Sequence, residues 1–329
     1  MDFSTLPKVE LHLHLDCSLS FAVASRIDPN ISFEAYQRDF IAPVKCSDLS
    51  EYLTHAEHGI RLMQTAEQLE WVTLDLLQQL SLENTIYAEI RFAPLLHTRN
   101  GLKPEEAVDI VCSALSRGME QAGLEARLLL CTLRHFTEAQ SLETIRLAER
   151  FKGPVVVGFD IAGDEAGYPV DNHIKAFQYA RNRGIPCTAH AGEARGADSV
   201  REVLEHFRPC RIGHGVRSVE APELLMQLRE QGIHLEICPT SNVQTGVCED
   251  IDSHPAEILF RSGLSLNINT DGRTLSNITL TEEYQKLHRH FGWGKGHFLQ
   301  TNLMALEAAF IPQALKEKLK AKLRKAYQY

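Results

Sequence analysis

The chain has 329 residues, of which 44% are hydrophobic and 23% charged, and these ordinary globular values exclude a disordered, fibrous or membrane-bundle protein. A formal net charge of −9 opposes a phosphate backbone, and no Lys/Arg stripe with interleaved aromatics offsets it locally, so nucleic acid is excluded as a partner. Eight cysteines without a CxxC pair fit buried thiols in a reducing compartment better than a disulfide framework. No apolar run approaches the roughly 20 residues of a membrane span, and Met1 to Lys8 lacks a basic region followed by an apolar core. The expected location is cytoplasmic, with no membrane partner; composition leaves the oligomeric state open.

The first predicted element is a strand over Val9–Leu15. Side chains alternate across a strand, so His12, His14 and Asp16 share one side while Leu11, Leu13 and Leu15 share the other. Two imidazoles and a carboxylate so aligned suggest half of a metal site; taken alone, the same pattern also suits a half-exposed strand with incidental histidines. A helix-prone region follows from Ser20 to Leu82, with amphipathic stretches at Phe33–Phe40 and Leu49–Leu80, too long for one crossover helix and read as a helical insertion. Within it His55-Ala56-Glu57 matches half of a nucleobase-deaminase zinc motif. Pro186-Cys187 and Pro209-Cys210 both lack the second cysteine of the other half, which makes His55 and Glu57 polar-face residues of the insertion.

Beyond Leu82 the β-prone stretches are Thr85–Ala93, Ala126–Leu133, Val155–Ala162, Pro186–Ala191, Arg211–Val216, His234–Cys238 and Leu264–Thr270. Helix-period segments separate them at Pro104–Ala122, Glu138–Phe151, Val170–Arg183, Ser199–Phe207, Ala221–Gln231 and Pro255–Ser262, with prolines and glycines at their ends. Eight strands alternating with helices predict an α/β fold, a (β/α)8 TIM barrel forming a single domain over residues 1–329. An open doubly wound sheet is the alternative, and its dinucleotide-binding version is excluded because no GxGxxG turn follows the first strand. Lys316 to Lys325 alternates its charges with Leu and Ala, as a solvated helix face does.

In such a barrel the site gathers at the C-terminal ends of the strands. There the sequence places His12, His14 and Asp16; then His190 and Glu193; then His214 between Gly213 and Gly215; then Asp271. Zinc favours imidazole nitrogen and carboxylate oxygen with one open position, and His12, His14, His190 and Asp271 supply those donors for one Zn2+ per chain. Glu193, three residues past a ligand, is placed to exchange a proton with substrate, and His214 to orient or deprotonate the attacking water. Cys238-Pro239-Thr240-Ser241-Asn242 lacks a dedicated His/Asp partner and is read as a structural turn. Arg91, Arg134 and Asp160 are candidates for a buried charge network beneath the site.

The segments Pro7–Asp16, Phe159–Glu165, His190–Glu193, Gly213–Gly215 and Asn269–Asp271 resemble, in order, the motifs of the adenosine deaminase family. The resemblance implies a zinc hydrolase of the amidohydrolase superfamily that replaces the 6-amino group of a purine nucleoside with oxygen. By matching motif, His12, His14, His190 and Asp271 would bind zinc, and Glu193 would protonate ring N1. His214 would help activate the water, Asp16 would contact the ribose end, and the Gly163 backbone would face N3. The insertion matches the region that partly covers the substrate. Two departures stand out. The family pattern has a second aspartate, reaching N7, where this chain has Gly272 followed by Arg273, which is a candidate replacement contact; and Cys17 followed by Ser18 replaces the usual glycine.

The leading function is therefore deamination of adenosine or a close purine nucleoside. The alternatives with the same chemistry are 6-aminodeoxyfutalosine, adenine or adenine-nucleotide deamination. From other classes come an inactive purine-binding protein, disfavoured because unpaired buried polar groups are costly to keep, and a two-metal hydrolase, for which no bridging lysine is evident.

Overall fold

The computed structural model describes residues 2–328. Its strands are β1 Lys8–His14, β2 Thr85–Phe92, β3 Glu125–Leu133, β4 Val156–Ala162, β5 Thr188–Ala191, β6 Arg211–His214, β7 His234–Ile237 and β8 Ser265–Ile268. They pair in sequence order as two parallel four-stranded sheets, β1 to β4 and β5 to β8. Parallel bridges between Phe159 and Cys187 and between Leu13 and Asp271 join the sheets at both seams. Backbone bonds from Phe159 N–H to Pro186 O (3.0 Å), from His14 N–H to Asp271 O (2.9 Å) and from Asp271 N–H to His12 O (3.1 Å) close them. The result is the expected (β/α)8 barrel, whose parallel order follows from a helical crossover between successive strands.

Local chemistry sets the crossover ends. Pro104 opens the helix Pro104–Ala122, and Gly123 closes it at φ 67°, a left-handed conformation that glycine adopts without a Cβ clash. Thr137 and Gln140 form a reciprocal capping box at the start of Glu138–Arg150, satisfying two otherwise free N–H groups.

The opening strand differs from expectation in two ways. It ends at His14, and Leu15–Cys17 forms a single 3-10 turn, so Asp16 does not continue the row begun by His12 and His14. Nor is it half-exposed: Leu11, Leu13 and Leu15 pack in the main core, and His12 is fully buried as well.

Between β1 and β2 lie five helices, Phe21–Ile27, Phe33–Asp39, Leu49–Thr54, Ala56–Arg61 and Ala66–Leu82. The middle of this region packs through its own small apolar cluster, in which Leu49, Tyr52, Ala56 and Ile60 meet Leu275. Backbone bonds from Ala42 N–H to Leu275 O (2.9 Å) and from Cys46 N–H to Gln244 O (2.8 Å) tie it to the barrel mouth. After β8 come three helices: Leu280–Phe291 and Lys295–Ala308, which the sequence reading does not mark, and Gln313–Tyr327, which contains the helix read over Lys316 to Lys325. Most of its basic residues face solvent as read, but Lys320 is buried and paired with Glu307 and Glu317. All eight cysteines are free, and no helix among the described residues is long and apolar enough to cross a membrane.

Candidate active site

Four donor groups, from His12, His190, His214 and Asp271, lie within 4.8 Å of one another, all buried at the C-terminal mouth of the barrel. His14 joins them, its Nε2 3.1 Å from His190 Nε2 and 3.3 Å from Asp271 Oδ1. Gly213 makes room for this crowding, since a Cβ there would stand 2.8 Å from His12 Cε1 and 3.3 Å from His190 Cγ.

Hydrogen bonds decide which imidazoles present a lone pair. His12 Nδ1–H donates to Glu236 Oε2 at 2.8 Å, and His190 Nδ1–H faces Asp160 Oδ2 at 3.3 Å. Each leaves Nε2 unprotonated toward the cluster, and His12 Nε2 is buried without a hydrogen-bond partner. An orphaned buried nitrogen among converging donors fits a metal ligand, and a carboxylate behind each imidazole is the usual support for one. Burial holds His14 and His190 below the usual histidine range, which favours the neutral, coordinating form.

His214 is oriented differently. Ala256 N–H donates to His254 Nδ1 (3.1 Å), so His254 Nε2–H donates to Asn242 Oδ1 (3.2 Å), and Asn242 Nδ2–H then donates to His214 Nδ1 (3.1 Å). This chain puts the His214 proton on Nε2, 3.5 Å from Glu193 Oε1 and 4.0 Å from Asp271 Oδ2. The relay thus presents His214 as a donor into the site, although its ring lies within the same cluster as His12, His190 and Asp271; with the His214 proton on Nε2, His12, His14, His190 and Asp271 are left as a donor set compatible with a divalent metal. Ser241 Oγ–H donates to Asp271 Oδ2 at 2.7 Å, leaving Oδ1 toward His12 and His14. Burial and the nearby Asp271 carboxylate push Glu193 well above the usual carboxyl range, which favours its protonated, proton-donating form.

Beneath the site the barrel interior is a charge layer. Arg91 pairs with Asp160 and Glu236, each at 2.8 Å, and Arg211 pairs with Glu236 (2.7 Å) and Glu89 (2.6 Å), all fully buried. Such pairs stabilise little against apolar packing, but losing one partner strands a buried charge. Here they fix the two carboxylates that orient His12 and His190. Glu165, in turn, accepts from the backbone N–H groups of Gly192 (2.7 Å), Glu193 (2.9 Å) and Arg195 (3.0 Å), fixing the turn that carries Glu193.

Several of these supports went unread in the sequence. Arg91 and Asp160 were identified as a buried network, and Arg134 joins through a bond from Nη2 to His190 O (2.9 Å), but Glu236, Glu165 and Asn242 were not. A detectable signal existed for Glu236, a lone acid inside the β-prone run His234–Cys238. Ser241 and Asn242, read as part of a structural turn, touch two site residues.

His14, Gly163, His190, Glu193, His214 and Asp271 line one inner cavity of about 40 Å3, together with Cys17 and Gly272. Asp16 is not among its lining residues; His97 Nε2 lies 2.6 Å from one of its oxygens, and the Ala93 N–H donates to the other at 3.1 Å. Arg273 is corrected outright as a purine contact, because it turns away to Glu83 (2.5 Å) and Gln79 (3.2 Å). Leu49, Tyr52 and Leu53 of the inserted helix Leu49–Thr54 close the cavity. Outside it lies a second cavity of about 580 Å3 that shares Leu49 and Glu193 with the first.

The family profile for adenosine deaminase matches residues 7–326. The adenosine deaminase of Enterococcus faecalis is 36% identical over 330 residues, covering 98% of each chain. Among solved structures, the adenine deaminase from Arthrobacter aurescens superposes with a TM-score of 0.90 at 24% identity, covering 98% of this chain and 100% of that one. The Arabidopsis ADAL protein complexed with IMP gives a TM-score of 0.88 at 24% identity, covering 99% of each. At that identity the two structures establish the shared barrel and leave the substrate open. With its metal-binding donor set and full-length match, this chain belongs to the adenosine deaminase family, hydrolases that act on C–N bonds.

Proposed function

We propose that the chain catalyses zinc-dependent hydrolysis of the 6-amino group of adenosine or a closely related purine nucleoside, releasing ammonia. The observation that carries this reading is the convergence at the barrel mouth of His12, His14, His190 and Asp271 with Glu193, whose carboxyl is pushed up by burial, and an Nε2–H-bearing His214. A bound divalent cation supplies Lewis acidity, which makes water nucleophilic near neutral pH. Glu193 gives its proton to ring N1, which makes C6 electrophilic. His214 Nε2–H directs the attacking oxygen and stabilises charge growing on it. The water adds its oxygen at C6; one of its protons restores Glu193 and the other leaves with the amino group as ammonia, so the site returns to its starting state. These contacts favour the tetrahedral carbon over the planar ring. Gly163, lining the cavity, faces ring N3 in this proposal, and Asp16 keeps lone pairs for a sugar hydroxyl.

The outer cavity favours a neutral nucleoside over an anionic relative. Asp48, Asp164, Glu193 and Glu220 line it. Its one lining cation among the described residues, Arg217, is held by Glu220 (2.6 Å) and by Ala194 O (3.0 Å). No free cation waits there for a phosphate or carboxylate at the 5′ end. The free thiols fit the reducing cytoplasm as its location. Initial rates of ammonia release from adenosine, adenine, AMP and 6-aminodeoxyfutalosine, with metal content measured, test the proposal. Adenosine is expected to lead in kcat/KM with one zinc per chain; faster turnover of any of the other three would overturn the assignment.

A further inference from the structure

Cys17 and Gly272 meet at the corner of the inner cavity beside Asp271. Gly272 is not required by its backbone, because its φ lies outside the left-handed region. A side chain at 272 is excluded by contact instead. A Cβ there would stand 2.8 Å from Cys17 Cβ, 3.4 Å from Leu275 Cβ and 3.5 Å from Cys17 O. None of these atoms moves by a rotamer change. The two loops are also pinned together, since Thr274 N–H donates to Cys17 O at 2.9 Å. Positions 17 and 272 therefore cannot both carry a side chain in this backbone, and the chain places its one side chain at 17.

The remaining lining residues leave little that could read a ring heteroatom. His14, His190, His214, Glu193 and Asp271 belong to the chemistry, the Gly163 backbone is assigned to ring N3, and the Tyr52 hydroxyl is bonded to Ser276 Oγ (2.9 Å). Leu49, Leu53, Ala162 and Leu275 are apolar.

Building on the functional reading above, we propose that Cys17 and Gly272 form one coupled specificity pair. The Cys17 arm fills the corner beside Asp271, so the substrate edge lying there is accepted by shape, as an uncharged ring edge that makes no required hydrogen bond.

A mutant cycle on the zinc-loaded enzyme tests the pair through kcat, KM, metal content and the thermal midpoint. Gly272→Ala is expected to raise KM for adenosine about tenfold, by forcing overpacking at the corner. Cys17→Gly/Gly272→Ala is expected to return to within about threefold of Cys17→Gly alone. Cys17→Ser/Gly272→Ala should not recover, because serine keeps the offending Cβ. Gly272→Ala within about twofold of wild type, or rescue by serine as good as by glycine, would overturn the coupling. For the recognition claim, 7-deazaadenosine should bind wild type with a Ki or KM within about threefold of the adenosine KM; if it is weaker by about tenfold or more, the shape reading fails. A wild-type enzyme inert toward adenosine removes the functional reading but not the pair. The thermal midpoints then decide, with destabilisation by Gly272→Ala relieved by Cys17→Gly and not by Cys17→Ser.

Discussion

The two halves of the barrel divide the work. Strands β1 to β4 run 7, 8, 9 and 7 residues, whereas β5 to β8 have four each. The long half contributes His12 and His14, two of the proposed ligands, from β1 and, through Arg91 and Asp160, part of the charge layer. The short half stops early and bends, and nearly every bend carries a working group: Glu193 after β5, His214 at the end of β6, Ser241 and Asn242 after β7, Asp271 after β8. His214 and Asp271 sit at φ 61° and 66°, left-handed values that cost a non-glycine residue on the order of 1–3 kcal/mol. Asn242, Ser241 and the seam bonds to β1 hold them there. Of the five described non-glycine residues with left-handed φ, these two lie at the cavity, while Asn84, Arg208 and Asn277 lie elsewhere.

Asp271→Ala, which breaks the short half at the seam, is expected to have the largest effect. It removes a ligand and the negative partner of two imidazoles; metal content should fall well below one per chain, and ammonia release should drop on the order of 10^3-fold or more. Glu236→Gln tests the charge layer below. It leaves His12 with a weaker acceptor, and zinc affinity measured by chelator competition should fall about 10–100-fold. Asn242→Ala sharpens the distinction between holding metal and directing water, since zinc should remain while kcat falls about tenfold through loss of the His214 tautomer. A last effect, read in stability rather than turnover, concerns Glu283, whose Oε1 accepts the Thr240 N–H just after β7 at 3.0 Å. Burial raises its carboxyl to about 7 against 4.5 when exposed. A raised carboxyl disfavours the fold once it ionises, so its penalty is absent below about pH 4.5, grows from there to about 7, and then stays at about 3 kcal/mol. Glu283→Gln should raise the thermal midpoint more at pH 8 than at pH 5, and equal shifts at both would contradict this.

The sequence made the strands legible because β-prone runs ended in turn residues, and made the cluster at the barrel mouth legible because metal-ligand residue types gathered at strand ends. What it hid depends on long-range partners. Glu236 reaches His12 across 224 positions, and no local spacing encodes that pairing, although an acid in a strand buried on both faces demands a partner. The Asn242–His254 relay needs a folded turn before its direction can be read. Asp16 left its predicted face because a 3-10 turn breaks the alternation that placed it there, and Arg273 found Glu83, an acid at the far end of the insertion. The Cys17 and Gly272 departures looked independent in sequence and proved adjacent in space.

The central claim is that metal holding and proton delivery reside in different groups at this mouth, and Glu193→Gln tests it most directly. With zinc stoichiometry and deamination measured on the same preparation, the variant should keep one zinc per chain while losing about 10^2–10^4 of its adenosine turnover; near-wild-type turnover with zinc intact would contradict the account.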